Sequence, residues 1–232
     1  MAWQGGVVDF HGEFYDFTDV PVRPSPLQKP QIPMWMACLS PETFEMAGAY
    51  GHNLLLGTVF GLNPENAVKR RIDYYRGLAR SGHSAEDKQV GCLMMVYVAE
   101  TKEKAEAEYR EACQWYFNTV AKYLAADGDK PIKTYETYNN LRDVAASADF
   151  DTLREAGFVV CGSPDQVVEE LTQAQQDYAM TELLCWTRLG GLDNNKVLKS
   201  MELMRDMVFP HLRDLSPPPI PEFEDTELAS TS

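Results

Sequence analysis

The sequence has no Cys-x-x-Cys pair, no cysteine and histidine at metal-ligand spacing, no P-loop, no GxGxxG and no Ser/His/Asp constellation. These absences remove a zinc ribbon, a thioredoxin-like redox motif, a dinucleotide fingerprint and a triad hydrolase, and no metal site is expected. No apolar run approaches the length of a membrane-spanning helix, and the N-terminal MAWQGGVVDF lacks a basic region followed by an apolar core. The expectation is a cytoplasmic protein without a membrane partner. Basic residues are scarce: 21 Lys and Arg face 35 Asp and Glu, for a net charge of −14. That balance argues against nucleic acid, yet leaves room for a small phosphorylated ligand in a locally positive site.

What is present is a globular composition, 44% hydrophobic and 24% charged over 232 residues, enough for a substantial core in one domain. Cys38, Cys92 and Cys185 lie in or at the end of apolar, strand-like runs, where a thiol acts as a small hydrophobe. All five cysteines are expected to be reduced and structural. The chain opens with two aromatic, alternating segments around His11-Gly12, which predicts a β-hairpin with Gly12 as the positive-φ turn residue. The segment 23-RPSPLQKPQIP-33 follows as an extended connector.

From residue 32 onwards short apolar runs alternate with helical patterns. The runs 32-IPMWMAC-38, 53-NLLLG-57, 90-VGCLMMVYVA-99 and 182-ELLCWTR-188 read as strands. Helices are expected from 41 to about 50, from Pro64 to Arg80, from Lys102 to about Ala125, from Pro164 onwards and from about Asn194 to Leu212. Ser163, Pro164 and Gln166 form a capping-box signature. The polar stretch 127–143 fits neither pattern, and the Pro-rich, acidic tail 216–232 is expected to be disordered, leaving a domain of 1–215. Continuously apolar strands alternating with helices indicate an α/β fold with a parallel sheet. Four strand–helix units fit a small open sheet or half of a barrel, and the pattern does not choose between them.

One ordered series of motifs adds to this reading. It runs Gly12-Glu13-Phe14-Tyr15, then Pro24, Pro26, Gln28, Pro30, Pro33 and Trp35, then Ser40-Pro41-Glu42-Thr43, then Ala47-Gly48 and Gly51. Gly162-Ser163-Pro164 with Val167, and a last helix ending Phe209-Pro210-x-Leu212, complete it. The series resembles the bacterial luciferase-like flavin-dependent monooxygenases from about Trp3 to Leu212. The resemblance implies the C-terminal portion of a luciferase-like (β/α)8 TIM barrel, about four strand–helix units, with an N-terminal β-hairpin insertion. The first four units have no counterpart here, so a truncated or fragmentary form is expected.

Ser40 has two readings. Ser, Pro41 and Glu42 make an ordinary helix start, and the same start, following a parallel strand, suits a phosphate. The resemblance favours the second. It implies that Leu39, Ser40 and Thr43 hold the phosphate of reduced FMN, and that Thr58 lines the flavin pocket. It implies as partners O2, a small organic substrate and a flavin reductase, with a deazaflavin as the alternative cofactor. Trp186 and Arg188 close the fourth strand. They either wall the pocket and meet an anionic group, or serve as core and a solvated strand end. The histidine that is catalytic in the family has no match, so the catalytic residues are unknown; the four histidines present are expected at the surface. Trp115, Tyr116, Phe117 and Tyr123 either pack within the chain, the favoured reading, or form a homo-oligomer contact. A non-catalytic half-barrel remnant that binds flavin or a partner, and a deazaflavin-dependent oxidoreductase of the same superfamily, stand as alternatives.

Overall fold

The structure, a computed structural model, describes residues 5–29, 32–58, 62–123, 149–220 and 222. The chain divides into two compact units, Met1–Trp35 and Met36–Ser232. The first is the expected hairpin, β1 (Gly6–His11) against β2 (Asp16–Val22), antiparallel with a bulge after Val8. Gly12 is a correction, because its φ is not positive. The turn closes through the Gly12 N–H and the Tyr15 carbonyl at 2.8 Å. The Phe10 ring lies over Gly12, where a Cβ would sit 2.6 Å from it unless the ring moved. The positive φ falls on Asp19, at the bulge.

After the hairpin, β3 (Trp35–Ala37), α1 (Pro41–Ala49), β4 (Asn53–Gly57), α2 (Pro64–Arg80) and β5 (Val90–Val98) follow the expected alternation. Next come α3 (Lys102–Tyr123), α4 (Phe150–Glu155), β6 (Val159–Gly162), α5 (Pro164–Tyr178) and β7 (Glu182–Cys185). The chain then runs through α6 (Asn194–Leu203), a π-helical turn (Met204–Val208) and α7 (Phe209–Leu212). The stretch 127–143, the end of the third helix near Ala125, and the tail from 223 onwards lie outside the described residues. Among the described residues, no helix is long and apolar enough to cross a membrane.

β4 and β7 both pair in parallel with the first half of β5, and β6 pairs in parallel with its second half. β3 pairs with β4. Strand β6 is an element the sequence reading missed: four consecutive fully buried residues carry no alternation. Gln166 accepts at Oε1 from the Ser163 N–H (3.2 Å) and hydroxyl (3.1 Å), so that helix starts as its signature indicates. The single final helix is corrected to three pieces. Pro210 has no N–H and its ring crowds the carbonyl four residues back, so the turn before it widens.

Helices α1, α2 and α5 cover one face of the sheet. Leu54, Leu56, Val90, Cys92 and Met94 pack there with Phe44, Tyr74, Leu78 and Leu171. α1 crosses α2 at two glycines: a Cβ on Gly48 would lie 2.1 Å from the Tyr74 carbonyl oxygen, and one on Gly77 2.2 Å from that of Glu45. A second core forms on the opposite face, further along β5. There Met95 and Tyr97 pack with Tyr109, Cys113 and Phe117 of α3, Phe150 of α4 and Val159 of β6. The remaining inner-face residues Leu55, Leu93 and Leu184 belong to neither core, and Leu184 is 40% exposed.

Candidate functional site

The turn after β3 is built around the Ser40 carbonyl. It accepts from the Thr43 N–H at 3.1 Å and from the Thr43 hydroxyl at 2.6 Å. Ser40 has the extended backbone of an N-cap, but its side chain makes no cap bond, which corrects the expected capping role. The Glu42 carboxylate instead accepts from its own backbone N–H and from the Ser40 hydroxyl, and these donors hold its pKa below the ordinary value. Pro41 has no N–H and the Thr43 N–H is taken by the Ser40 carbonyl, so the Ser40 hydroxyl and the Glu42 N–H are the donors at this turn. Leu39, Ser40 and Thr43 are all half-buried. Beneath them the Cys38 thiol donates to the Thr43 carbonyl at 3.2 Å, and burial pushes that thiol up to about 11.

Thr58 follows β4. It is fully buried, and its hydroxyl donates to the Leu93 carbonyl of β5 at 3.2 Å. Trp186 follows β7, where the strand ends at Cys185, earlier than the run to Arg188 suggested. The Trp186 N–H donates to the Met94 carbonyl at 2.8 Å, its indole N–H donates to the Arg188 carbonyl at 3.0 Å, and its own carbonyl accepts from the Tyr109 hydroxyl at 2.9 Å. The ring meets Tyr116 edge-on at 4.7 Å. Of the α3 aromatics, Phe117 is buried and Tyr116 packs here, while Tyr123 is exposed. Trp115 lies over Gly190, where a Cβ would fall 2.4 Å from its ring. This pins the loop after β7, and Arg188 projects from it exposed.

Ser40, Thr58 and Trp186 thus all follow strands of one sheet. β4, β5 and β7 are parallel, and the β3–α1–β4 crossover brings β3 into the same direction, so these residues share the C-terminal end. Ser40 and Thr58 leave adjacent strands; β5 separates both from Trp186 and Arg188. A cavity of about 450 Å³ between α3 and α6 is lined by Glu108, Glu111, Trp115, Asp193 and Lys196. With three carboxylates against one ammonium it is poorly suited to a phosphate. Among the described residues no group of His, Cys, Asp and Glu could hold a metal ion. His52 is half-buried, with its pKa lowered by burial and then by Lys88; His11, His83 and His211 are exposed as expected.

Comparison with known proteins completes the description. The family described as "Luciferase-like monooxygenase" matches residues 1–181. The oxygenase component of the flavin-dependent trigonelline monooxygenase of Acinetobacter baylyi is 28% identical over 114 residues, covering 49% of this chain and 31% of that protein. The oxygenating constituent of 3,6-diketocamphane monooxygenase from Pseudomonas putida, solved in complex with FMN, superposes with a TM-score of 0.70 at 16% identity. That match covers 94% of this chain and 61% of the other. An F420-dependent secondary alcohol dehydrogenase superposes with a TM-score of 0.63 at 18% identity, covering 92% and 58%. The chain spans about half the length of the curated relatives it matches, 52% and 55% in the two longest alignments.

Proposed function

Because the chain belongs to the luciferase-like monooxygenase family, we propose that it is the flavin-holding part of a cytoplasmic FMN-dependent monooxygenase acting on a small organic substrate. The observation that carries this is the turn at Ser40. Its hydroxyl and the Glu42 N–H, the two donors that lower the pKa of the exposed Glu42 carboxylate, stand at a helix N-terminus after a strand and would suit a phosphate. Reduced flavin delivered by a partner reductase would supply the oxygen-activating chemistry when bound.

The chain's own groups bind and orient. Ser40 donates to the phosphate beside the Glu42 N–H, and Thr43 fixes the turn by holding the Ser40 carbonyl with its N–H and hydroxyl. Leu39 contributes backbone beside them. Thr58 ties the end of β4 to β5 and fixes the wall next to the phosphate turn. Trp186 forms an apolar wall that excludes water on the far side, and Arg188 offers an unburied cation to an anionic group of cofactor or substrate. No side chain among these is assigned a proton transfer.

The test is a titration of the full chain with FMN, followed by flavin absorbance and fluorescence, on the wild type and on Ser40→Ala. Saturable binding that weakens roughly tenfold in the variant supports the reading, as expected for the loss of one hydrogen bond to a charged group. Saturable binding equal in both proteins places the phosphate elsewhere. Two other readings are retained for specific observations. The fold likeness to an F420-dependent dehydrogenase supports a deazaflavin in the same turn, and a parallel titration separates the two cofactors. Leu184, 40% exposed, with half-buried Leu55 and Leu93 outside both cores, supports a non-catalytic, flavin- or partner-binding half-barrel; FMN binding without oxygen consumption in the presence of a reductase would favour it.

A further inference from the structure

We propose that Arg70, on α2, is the cation of the phosphate site at the Ser40 turn, and that Asp73 holds it in place. The identity of the anion rests on the flavin reading above; the placement of Arg70 does not.

α1 and α2 follow neighbouring strands of one sheet and run side by side in the same direction. Their contact fixes the level of one against the other. Gly48 seats against Tyr74, Gly77 and Leu78, and Gly77 seats against Glu45 and Ala49, so the two glycines stand side by side. About two helical turns before them stand Pro41 on α1 and Arg70 on α2. Arg70, Tyr74 and Gly77 follow at spacings of four and three, so they share the stripe of α2 that meets α1. Arg70 therefore lies at the level of the first turn of α1. An independent sign agrees with this placement, because the positive charge of Arg70 is felt at Glu42, where it adds to the two hydrogen bonds that favour the ionised carboxylate.

The guanidinium is also available. Asp73 accepts from Arg70 Nη1 at 2.9 Å on one oxygen and from Arg76 Nη1 at 3.1 Å on the other. One carboxylate against two guanidiniums leaves a net positive charge. The Arg70 side chain is 26% exposed, and the ion pair with Asp73 spans less than one helical turn, so the cation is held before any ligand arrives. Among the described residues Asp73 is its one hydrogen-bond partner, and the rest of its planar fork can donate to phosphate oxygens. The other cations of α2 are engaged elsewhere. Lys69 meets Glu65 at 2.7 Å, Arg80 meets Glu45 at 2.8 Å, and buried Arg71 donates to the Pro219 carbonyl at 3.4 Å.

The Ser40 hydroxyl and the Glu42 N–H supply two donors but no full charge, and the exposed Glu42 carboxylate beside them repels an anion. Arg70 is the group that offsets this repulsion, which makes it the source of preference for a phosphorylated flavin over an uncharged one.

Two readouts on the full chain test the proposal, and the first needs no flavin. The Glu42 carboxyl, followed by NMR through an acid titration, should titrate at higher pH in Arg70→Gln than in wild type, because a cation favouring its ionised form is gone. An unmoved midpoint overturns the placement. The second readout is titration with FMN and with riboflavin. Arg70→Gln should weaken FMN roughly tenfold or more, leave riboflavin unchanged, and flatten the loss of FMN affinity with added salt. Arg70→Lys keeps the charge without the fork and should recover part of the affinity. Lys69→Gln removes an equal charge one residue away and should stay within about twofold of wild type. An equal loss of both flavins in Arg70→Gln marks a structural role and overturns the proposal. So does FMN binding that Ser40→Ala weakens and Arg70→Gln does not. FMN binding that neither variant changes, with the Glu42 midpoint raised in Arg70→Gln, overturns the flavin reading of the turn and leaves Arg70 beside it.

Discussion

The seating of α1 on α2 should control both stability and the anion turn, and Gly48→Ala probes it. The added Cβ would lie 2.1 Å from the Tyr74 carbonyl oxygen and 2.8 Å from the Leu78 nitrogen, where ordinary contact begins at 3.4 Å. Both neighbours are helix backbone, so relief requires α1 to back away by roughly 1 Å. Overpacking of this kind costs about 3 kcal/mol or more, against roughly 1 kcal/mol gained by replacing a helical glycine. The net loss is about 2 kcal/mol, read as a lower urea midpoint with an unchanged slope. Gly191→Ala, where a Cβ meets nothing within 4 Å, should stay within about 0.5 kcal/mol of wild type. Because one displacement relieves both clashes, the double variant with Gly77→Ala should cost less than the sum. Since α1 carries the Ser40 turn, FMN binding should weaken together with the midpoint. A Gly48→Ala protein that unfolds at or above the wild-type midpoint would refute this account of the helix crossing.

Glu42→Gln should tighten FMN binding, because it removes the carboxylate that occupies the phosphate donors; weaker binding would show that Glu42 assists the site. The Glu42 pKa is lowered in the folded state. Its contribution to stability is therefore present above the ordinary value of 4.5 and lost as pH falls through the lowered one. The stability gap between wild type and Glu42→Gln should accordingly be constant above pH 4.5 and shrink below it. Tyr109→Phe leaves the Trp186 carbonyl without its donor and should cost about 1–2 kcal/mol, with a red shift of tryptophan emission. Burial pushes the thiols of Cys92, Cys113 and Cys161 up to about 12, so none of them should react with an aromatic disulfide at neutral pH until urea is added. Raised thiol values contribute stability below the ordinary value of 9.0 that is lost as pH rises beyond it.

Much of the fold was legible because its strands are apolar throughout and its helices start with marked residues. Pro64 and Pro164 open α2 and α5 where the patterns place them, and the strand at 53–57 matches to the residue. What escaped were features fixed by tertiary contact. Val159–Gly162 becomes a strand because the second half of β5 offers it a parallel edge, a partner 64 residues away at the Met95–Val159 pair. Gly12 lies under the Phe10 ring and does not take the positive φ expected of it. The candidate site shows the same division. The motif Ser-Pro-Glu-Thr announces a helix start, but the contest between Ser40 as cap and Glu42 as occupant of the same donors depends on side-chain geometry. The close approach of the Trp115 ring to Gly190, in the loop after β7, is likewise a matter of tertiary contact.

The claim that the Ser40 turn grips a flavin phosphate is tested most directly by titrating the full chain with FMN and with riboflavin under identical conditions. The two ligands share the ring system and differ in the phosphate. The account predicts that FMN binds at least tenfold more tightly, a difference of about 1.4 kcal/mol or more, and that Ser40→Ala removes most of the advantage. Equal affinities for the two ligands, unchanged by Ser40→Ala, would contradict it.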